Sequence, residues 1–283
     1  MKQVLLILLL SIFFCDIHSE EVAGVVFDEN NRPLPYSTIR VKKKRIATLG
    51  DRSGRFSISS GSICPNDTIS VTYIGYEPLE FSIGEIIDSV QILKMNPSPT
   101  LLNEVSVCAT SKIKQKTKRK GKKHGWSLIK TCITGKTAGD TYGYEFHTSK
   151  NKQLLLDKVG FYYCEGNNQV TEMNFRINVY DMSQVKTEPT RDFINILDSP
   201  IYFEYKLGDD PNGKFEFQLP EPVVLPDNAM IEIEFLENLD DEIFWFKCNL
   251  VGGSTLSKLF TENIWIKTPF STPFFVECIE LDK

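Results

Sequence analysis

Gly24-Val-Val-Phe-Asp28, Ser37-Thr-Ile-Arg-Val41, Gly50-Asp51-Arg-Ser-Gly54-Arg-Phe56-Ser-Ile58 and Asp67-Thr-Ile-Ser-Val-Thr-Tyr-Ile-Gly75-Tyr76 decide how the first part of this chain folds. Ile39 and Val41 alternate with Arg40 and Lys42, and Phe56 and Ile58 with Ser57 and Ser59. Ile69, Val71 and Tyr73 alternate with Ser70 and Thr72. A period of two puts each apolar set on one face of a sheet. Asn30-Asn31, Pro33, Pro35, Gly50, Gly54, Gly61 and Pro65 stand between the runs, where they supply turn backbone and end strands. Many short strands with frequent turns predict a sandwich rather than a βαβ sheet.

Gly24, Asp28, Pro33-Leu34-Pro35, Ile39, Val41, Asp51, Gly54, Phe56 and Tyr73-Ile74-Gly75-Tyr76 together resemble the carboxypeptidase regulatory-like domain. The resemblance implies a small transthyretin-like β-sandwich over residues 21–95. In that family the domain is a non-catalytic accessory. It accompanies zinc carboxypeptidases and, in Gram-negative bacteria, TonB-dependent outer-membrane receptors and many envelope proteins. The chain departs from the family pattern at Gly50, where Thr usually precedes Asp.

Outward from that core, Met1 to Ser19 reads as a signal peptide. Lys2 gives the positive start, and Val4 to Phe14 is an apolar run too short to span a bilayer comfortably. Cys15 offers a lipoprotein alternative, but Phe14 before it is wrong for a signal that wants a small residue, so ordinary cleavage is favoured. The expectation is an exported protein, periplasmic or associated with the outer membrane, with no transmembrane segment after cleavage. About 260 residues then remain, enough for two modest domains. Six cysteines follow the leader, widely spaced with no Cys-x-x-Cys pair; they read as small apolar residues inside strands.

Residues 96–125 read as a linker. Asn96-Pro-Ser-Pro99 breaks structure, and Leu101-Leu-Asn-Glu104-Val105-Ser-Val107 resembles the segment joining the regulatory-like domain to a receptor plug. The remaining chain is too short for the receptor barrel itself. A basic run over 112–123 carries Lys118, Arg119, Lys120, Lys122 and Lys123 among its eight positive charges. Those five are candidate contacts to an anionic surface; the alternative is a solvated, self-repelling joint, cut first by proteases near Lys118 to Lys123, that lets two sandwiches reorient. Nucleic acid is disfavoured, because no aromatic residue is interleaved for stacking.

Residues 126–283 read as a second, jelly-roll-like β-sandwich, which makes the fold class all-β. Phe175, Ile177 and Val179 alternate with Asn174, Arg176 and Asn178; Ile231, Ile233 and Phe235 alternate with Glu232 and Glu234. Each pattern predicts a half-buried antiparallel strand with its polar set in water. Leu156-Asp-Lys-Val-Gly-Phe161 and Phe175-Arg-Ile-Asn-Val-Tyr180-Asp look similar to the uncharacterised domain that often follows the regulatory-like domain in envelope proteins.

The residues available for chemistry argue against an enzyme. His18-Ser-Glu-Glu21 fits a zinc-ligand spacing but falls in the leader, and His124 and His147 have no Glu three residues on. Gly-x-Ser-x-Gly is absent. Asp209, Asp210 and Asn212, or Asp240-Asp241-Glu242, could offer oxygens to calcium, but neither has the EF-hand spacing, so no metal or other cofactor is expected. The expected function is a non-catalytic binding or accessory module for another envelope protein or the outer-membrane surface. A glycan-binding sandwich is the alternative, with Trp126, Tyr142, Tyr144, Trp245 and Trp265 as candidate platforms.

Overall fold

The computed structural model describes residues 21–59, 63–85, 90–99, 116–122, 126–127, 129–149, 151–164, 166, 168–183, 193, 195–208, 213–248, 255–268 and 273–282. The signal-peptide reading, Cys15, Cys108, Lys123, His124, Asp209, Asp210 and Asn212 lie outside them. Within them the chain is all-β, built as two sandwiches. Among the described residues no helix is long and apolar enough to cross a membrane.

The first sandwich uses β1 (Glu21–Phe27), β2 (Thr38–Val41), β3 (Ile46–Leu49), β4 (Arg55–Ser59), β5 (Thr68–Thr72), β6 (Leu79–Ser82) and β7 (Gln91–Lys94). One sheet runs β4-β1-β7 and the other β3-β2-β5-β6. The alternating residues meet between them: Val26, Ile39, Val41, Phe56, Ile58, Ile69, Val71 and Met95 form one buried cluster. The family-type aspartates build its turns. Asp28 is buried and accepts from the Asn30 amide (2.8 Å), the Arg32 amide (2.7 Å) and Arg32 Nε (2.7 Å). Burial works against its charge, but those bonds outweigh it and hold the carboxyl below its ordinary range. Asp51 Oδ1 likewise accepts from the Ser53 and Arg55 amides (2.7 and 2.9 Å), tying the β3–β4 turn.

The second sandwich comprises β8 (Lys116–Gly121), β9 (Ile129–Gly135), β10 (Thr141–His147), β11 (Lys152–Tyr162), β12 (Glu172–Asp181), β13 (Ile201–Lys206), β14 (Lys214–Leu225), β15 (Asn228–Phe235), β16 (Asp240–Cys248), β17 (Thr255–Leu259), β18 (Ile264–Thr268) and β19 (Phe274–Asp282). A six-stranded sheet, β13-β12-β15-β10-β17-β18, forms one layer. The other is β14-β11-β19-β8, extended by the β16-β9 pair through a Tyr163–Phe246 bridge. An aromatic core fills the space between: the Phe161 ring sits 4.9–5.8 Å from those of Phe175, Tyr205, Phe215, Phe244 and Phe246.

Two expectations need correction here. Lys116–Gly121 is a paired strand, not a free joint: β8 runs antiparallel to β19, with Arg119 opposite Glu277. Lys118 pairs with Glu280, and Arg119 with Glu277 and with Glu216. Ladder hydrogen bonds and carboxylates together offset the self-repulsion that made the run look unfolded. Burial opposes the charge on Glu277, yet Arg119 and Lys158 keep its carboxyl below the usual range. Proteolysis first within 118–121 is therefore no longer expected. The second correction concerns β12 and β15, which are buried on both faces; Arg176, Asn178, Glu232 and Glu234 are not in water.

The outer face of the β11–β19 sheet shows how tightly one glycine is used. Gly160 lies opposite Phe275, whose fully buried ring packs against Tyr162 (5.5 Å) under the Arg119 guanidinium (4.2 Å). A β-carbon at Gly160 would meet Phe215 O at 2.4 Å and Phe275 Cζ at 2.5 Å. Gly160→Ala is therefore expected to cost about 1–3 kcal/mol, because backbone bounds one side and cannot yield. Urea unfolding of the variant checks this; an unchanged midpoint contradicts it.

Candidate functional site at the junction of the two sandwiches

The loop after β5 carries Tyr73-Ile74-Gly75-Tyr76, and it docks the first sandwich onto the second. Gly75 has φ 84°, and a β-carbon there would lie 2.1 Å from Asp198 O. Only glycine permits both that conformation and that approach. Ile74 packs against the core of the second sandwich. The Tyr73 hydroxyl lies 3.3 Å from that of Tyr202, which itself donates to Pro35 O (3.0 Å). The Tyr36 ring rests 5.5 Å from the Tyr202 ring. Burial pushes the Tyr73 and Tyr202 phenols up, so both keep their protons as donors.

Beneath this loop the outer face of β12 and β15 carries a buried polar network. Register places Arg176 opposite Glu234 and Asn178 opposite Glu232. Arg176 donates through Nε and Nη2 to both Glu234 oxygens, each at 2.8 Å, and through Nη1 to Tyr36 O at 2.9 Å. One guanidinium thus binds a carboxylate in its own sheet and a carbonyl of the other sandwich. Burial pulls Arg176 down, but Glu234 prevails and holds it above its ordinary value. Asn178 Nδ2 donates to Glu232 (3.1 Å) and Glu234 (2.9 Å), and Asn195 Nδ2 donates to Asn178 Oδ1 (2.9 Å).

Glu232 is the strained member. It is 1% exposed, and among the described residues neither its Oε1 nor Thr141 Oγ1 makes a hydrogen bond of ordinary geometry, although Thr141 and Tyr180 lie close enough to ease its charge. Burial is the main force pushing its carboxyl up; Lys258 opposes that and Glu234 adds to it. With the folded pKa above the unfolded value of 4.5, the group's contribution is present below that value and lost as pH rises. Glu232→Gln is therefore expected to unfold at higher urea than the parent at neutral pH, with a shallower fall in stability as pH rises above about 4.5. Parallel pH dependences in the two proteins would contradict this.

The rim of the junction is open and charged. Arg40 donates to Phe260 O (2.7 Å) and Thr261 O (3.3 Å), Arg45 pairs with Glu262 (3.2 Å), and Arg52 reaches Glu237 (3.4 Å) and Tyr36 OH (3.1 Å). Beside Arg52 a groove of ≈ 530 Å³ opens between the sandwiches. Leu49, Arg55 and Phe56 line one wall and Ala138, Glu237 and Asn238 the other. The first wall is formed by β3 and β4, each the edge strand of its sheet.

The residues singled out in the sequence do not gather here. Tyr142 and Tyr144 pack against the core of the second sandwich, and burial pushes the Tyr142 phenol up to about 12. Trp265 packs with Phe193 and Tyr180 on the opposite face of the same sheet. Trp245 is half-buried on β16, and Trp126 is 67% exposed before β9. Of the basic candidates, Lys118 and Arg119 are ion-paired, Lys120 lies opposite Val276 on β8, and Lys122 is buried, donating to Trp126 O at 3.4 Å. Cys64, Cys132, Cys164, Cys248 and Cys278 are free thiols.

Two short sheets, turns tied by Asp28 and Asp51, and a docking loop built on Gly75 define the first sandwich as a small β domain. Residues 22–107 match the model of the CarboxypepD_reg-like domain family. A comparison with curated proteins finds no match.

Proposed function

We propose that this chain is an exported, non-catalytic accessory module of the cell envelope, and that it binds an extended segment of a partner protein in the groove at the junction. The observation that carries this is the pairing of a ≈ 530 Å³ groove with the edge strands β3 and β4 along one wall. An edge strand offers main-chain donors and acceptors to an added strand, and the adjoining Arg55, Phe56 and Leu49 offer contacts to alternate side chains. The non-catalytic reading is supported by the state of the two buried acids of β15: Glu234 is bonded to Arg176 and Asn178, and Glu232 is 1% exposed. The wide scatter of the five aromatic candidates favours a protein partner over a glycan.

A photo-crosslinking residue at Ser57, exposed on β4, tests the reading in cells expressing the full chain. A discrete adduct from Ser57, with none from the same residue at Thr72 on the inner strand β5, is the expected result. Equal labelling at both positions, or none at Ser57, would contradict it.

A further inference from the structure

Among the described residues the six-stranded and four-stranded sheets of the second sandwich end in β13, β18, β14 and β8, and these edges are not alike. An open edge offers main-chain donors and acceptors to another chain, and charges or prolines along it discourage that pairing. β8 carries Lys116, Lys118 and Lys120. β14 carries Pro220 and Pro222, both exposed beside Glu221. β13 carries Glu204 and Lys206, both exposed. β18 instead carries Ile266, which is 44% exposed, and Lys267 is its single charge.

The core-facing side of the six-stranded sheet outruns the core at this edge. Opposed residues share a face, so Tyr142, Ser257 and Ile266 form one row across β10, β17 and β18. Tyr142 packs against the core, but the far end of the row does not. Leu259, opposite Ile264 on the same face, is likewise 41% exposed. The β17–β18 register runs unbroken from Thr255–Thr268 to Leu259–Ile264, so no bulge twists the edge away. Its turn is held by the first sandwich, through Arg40 on Phe260 O and Thr261 O and through the Arg45–Glu262 pair. β18 is therefore an anchored edge whose exposed side chains are partly apolar.

We propose that β18 pairs with β18 of a second copy of this chain, antiparallel about a two-fold axis at Ile266. An axis normal to the sheet keeps every side chain on its own face, so it passes through a residue rather than between two. Centring on Ile266 pairs the whole strand, Ile264 with Thr268 and Trp265 with Lys267, and brings the two exposed Ile266 side chains together. Centring on Trp265 would enlist Asn263, whose φ of 53° turns it out of the strand. Centring on Lys267 would oppose two ammonium groups. Trp265 already faces a lysine on its other side: Lys258 lies opposite it, with Nζ 5.3 Å from the ring. The two-fold axis repeats that cation–π pairing with the partner's Lys267. Antiparallel strands send the two first sandwiches, each held at its own β17–β18 turn, to opposite ends of the contact. A two-fold contact is closed, so association stops at the dimer. No residue of β17 or β18 lines the groove, and the dimer does not depend on it.

Sedimentation equilibrium of the full chain under reducing conditions tests this over about 5–500 µM, the range in which so small a contact associates. The parent is expected to pass from monomer towards dimer across that range. Ile266→Lys and Ile266→Glu each set like charges against one another at the axis, and each should weaken association about tenfold or more. An equal mixture of the two variants should associate again, because only the mixture places opposite charges across the axis. Both substitutions alter an exposed side chain, so urea midpoints should stay near the parent's. Ile92→Lys, at an exposed position on β7 of the first sandwich, should leave association unchanged. A parent that stays monomeric throughout, which would leave this edge to a strand of another protein, overturns the proposal. So does undiminished association in both variants, or a mixture that stays monomeric.

Discussion

Arg176→Ala is expected to lower the unfolding free energy by about 3–5 kcal/mol, one of the two largest effects of any single truncation considered for this chain. The Arg176 and Glu234 side chains are 5% and 6% exposed. Removing the guanidinium takes the counter-charge and two hydrogen bonds from a buried carboxylate, leaving it the Asn178 bond, and takes one donor from Tyr36 O. The cost is that of an uncompensated buried charge rather than the net worth of the pair. Replacing both partners, as in Arg176→Met/Glu234→Leu, should therefore recover much of the loss in the second sandwich. It should not restore the bond to Tyr36 O, which joins the sandwiches. Urea midpoints for the parent, the single and the double variant check the argument. A single variant within about 1 kcal/mol of the parent would contradict it.

Phe161→Ala is the other large effect, expected at about 3–5 kcal/mol. Its ring is 1% exposed and in contact with rings from β12, β13, β14 and β16, so it ties both layers of the second sandwich together. The surrounding rings come from four strands in both layers of the sandwich, and they cannot all collapse into the space one phenyl leaves. Equilibrium unfolding followed by near-ultraviolet circular dichroism gives the loss directly. A variant with parental midpoint and spectrum would show that the site relaxes.

The apolar alternation of the sequence maps well onto the structure. Ile39, Val41, Phe56, Ile58, Ile69 and Val71 all point into one core, as a period of two requires. Phe175, Ile177, Ile231 and Ile233 do the same in the second sandwich. What alternation conceals is the fate of the polar face. Asn174, Arg176 and Asn178 read as solvated because nothing local says that another sandwich covers them. The clue lies in the partner strand, where Glu232 and Glu234 match Asn178 and Arg176 residue for residue. That match appears only once β12 is known to pair with β15, a contact between strands far apart in the chain. Lys116–Gly121 was hidden for a different reason: it has no apolar alternation, and it is a strand because β19 supplies ladder bonds and carboxylates. The docking role of Tyr73-Ile74-Gly75-Tyr76 was equally hidden, although its glycine marked a position needing unusual backbone. The groove was not legible at all, since it belongs to neither sandwich alone.

The two sandwiches form one docked body, joined through Arg176, Tyr202 and the Gly75 loop, with the groove as a consequence. Differential scanning calorimetry of the full chain tests it most directly. One heat-absorption peak, with calorimetric and van't Hoff enthalpies in agreement, is the predicted result. Two well-separated peaks, each unchanged in Arg176→Ala, would mean that the sandwiches unfold independently, and would contradict it.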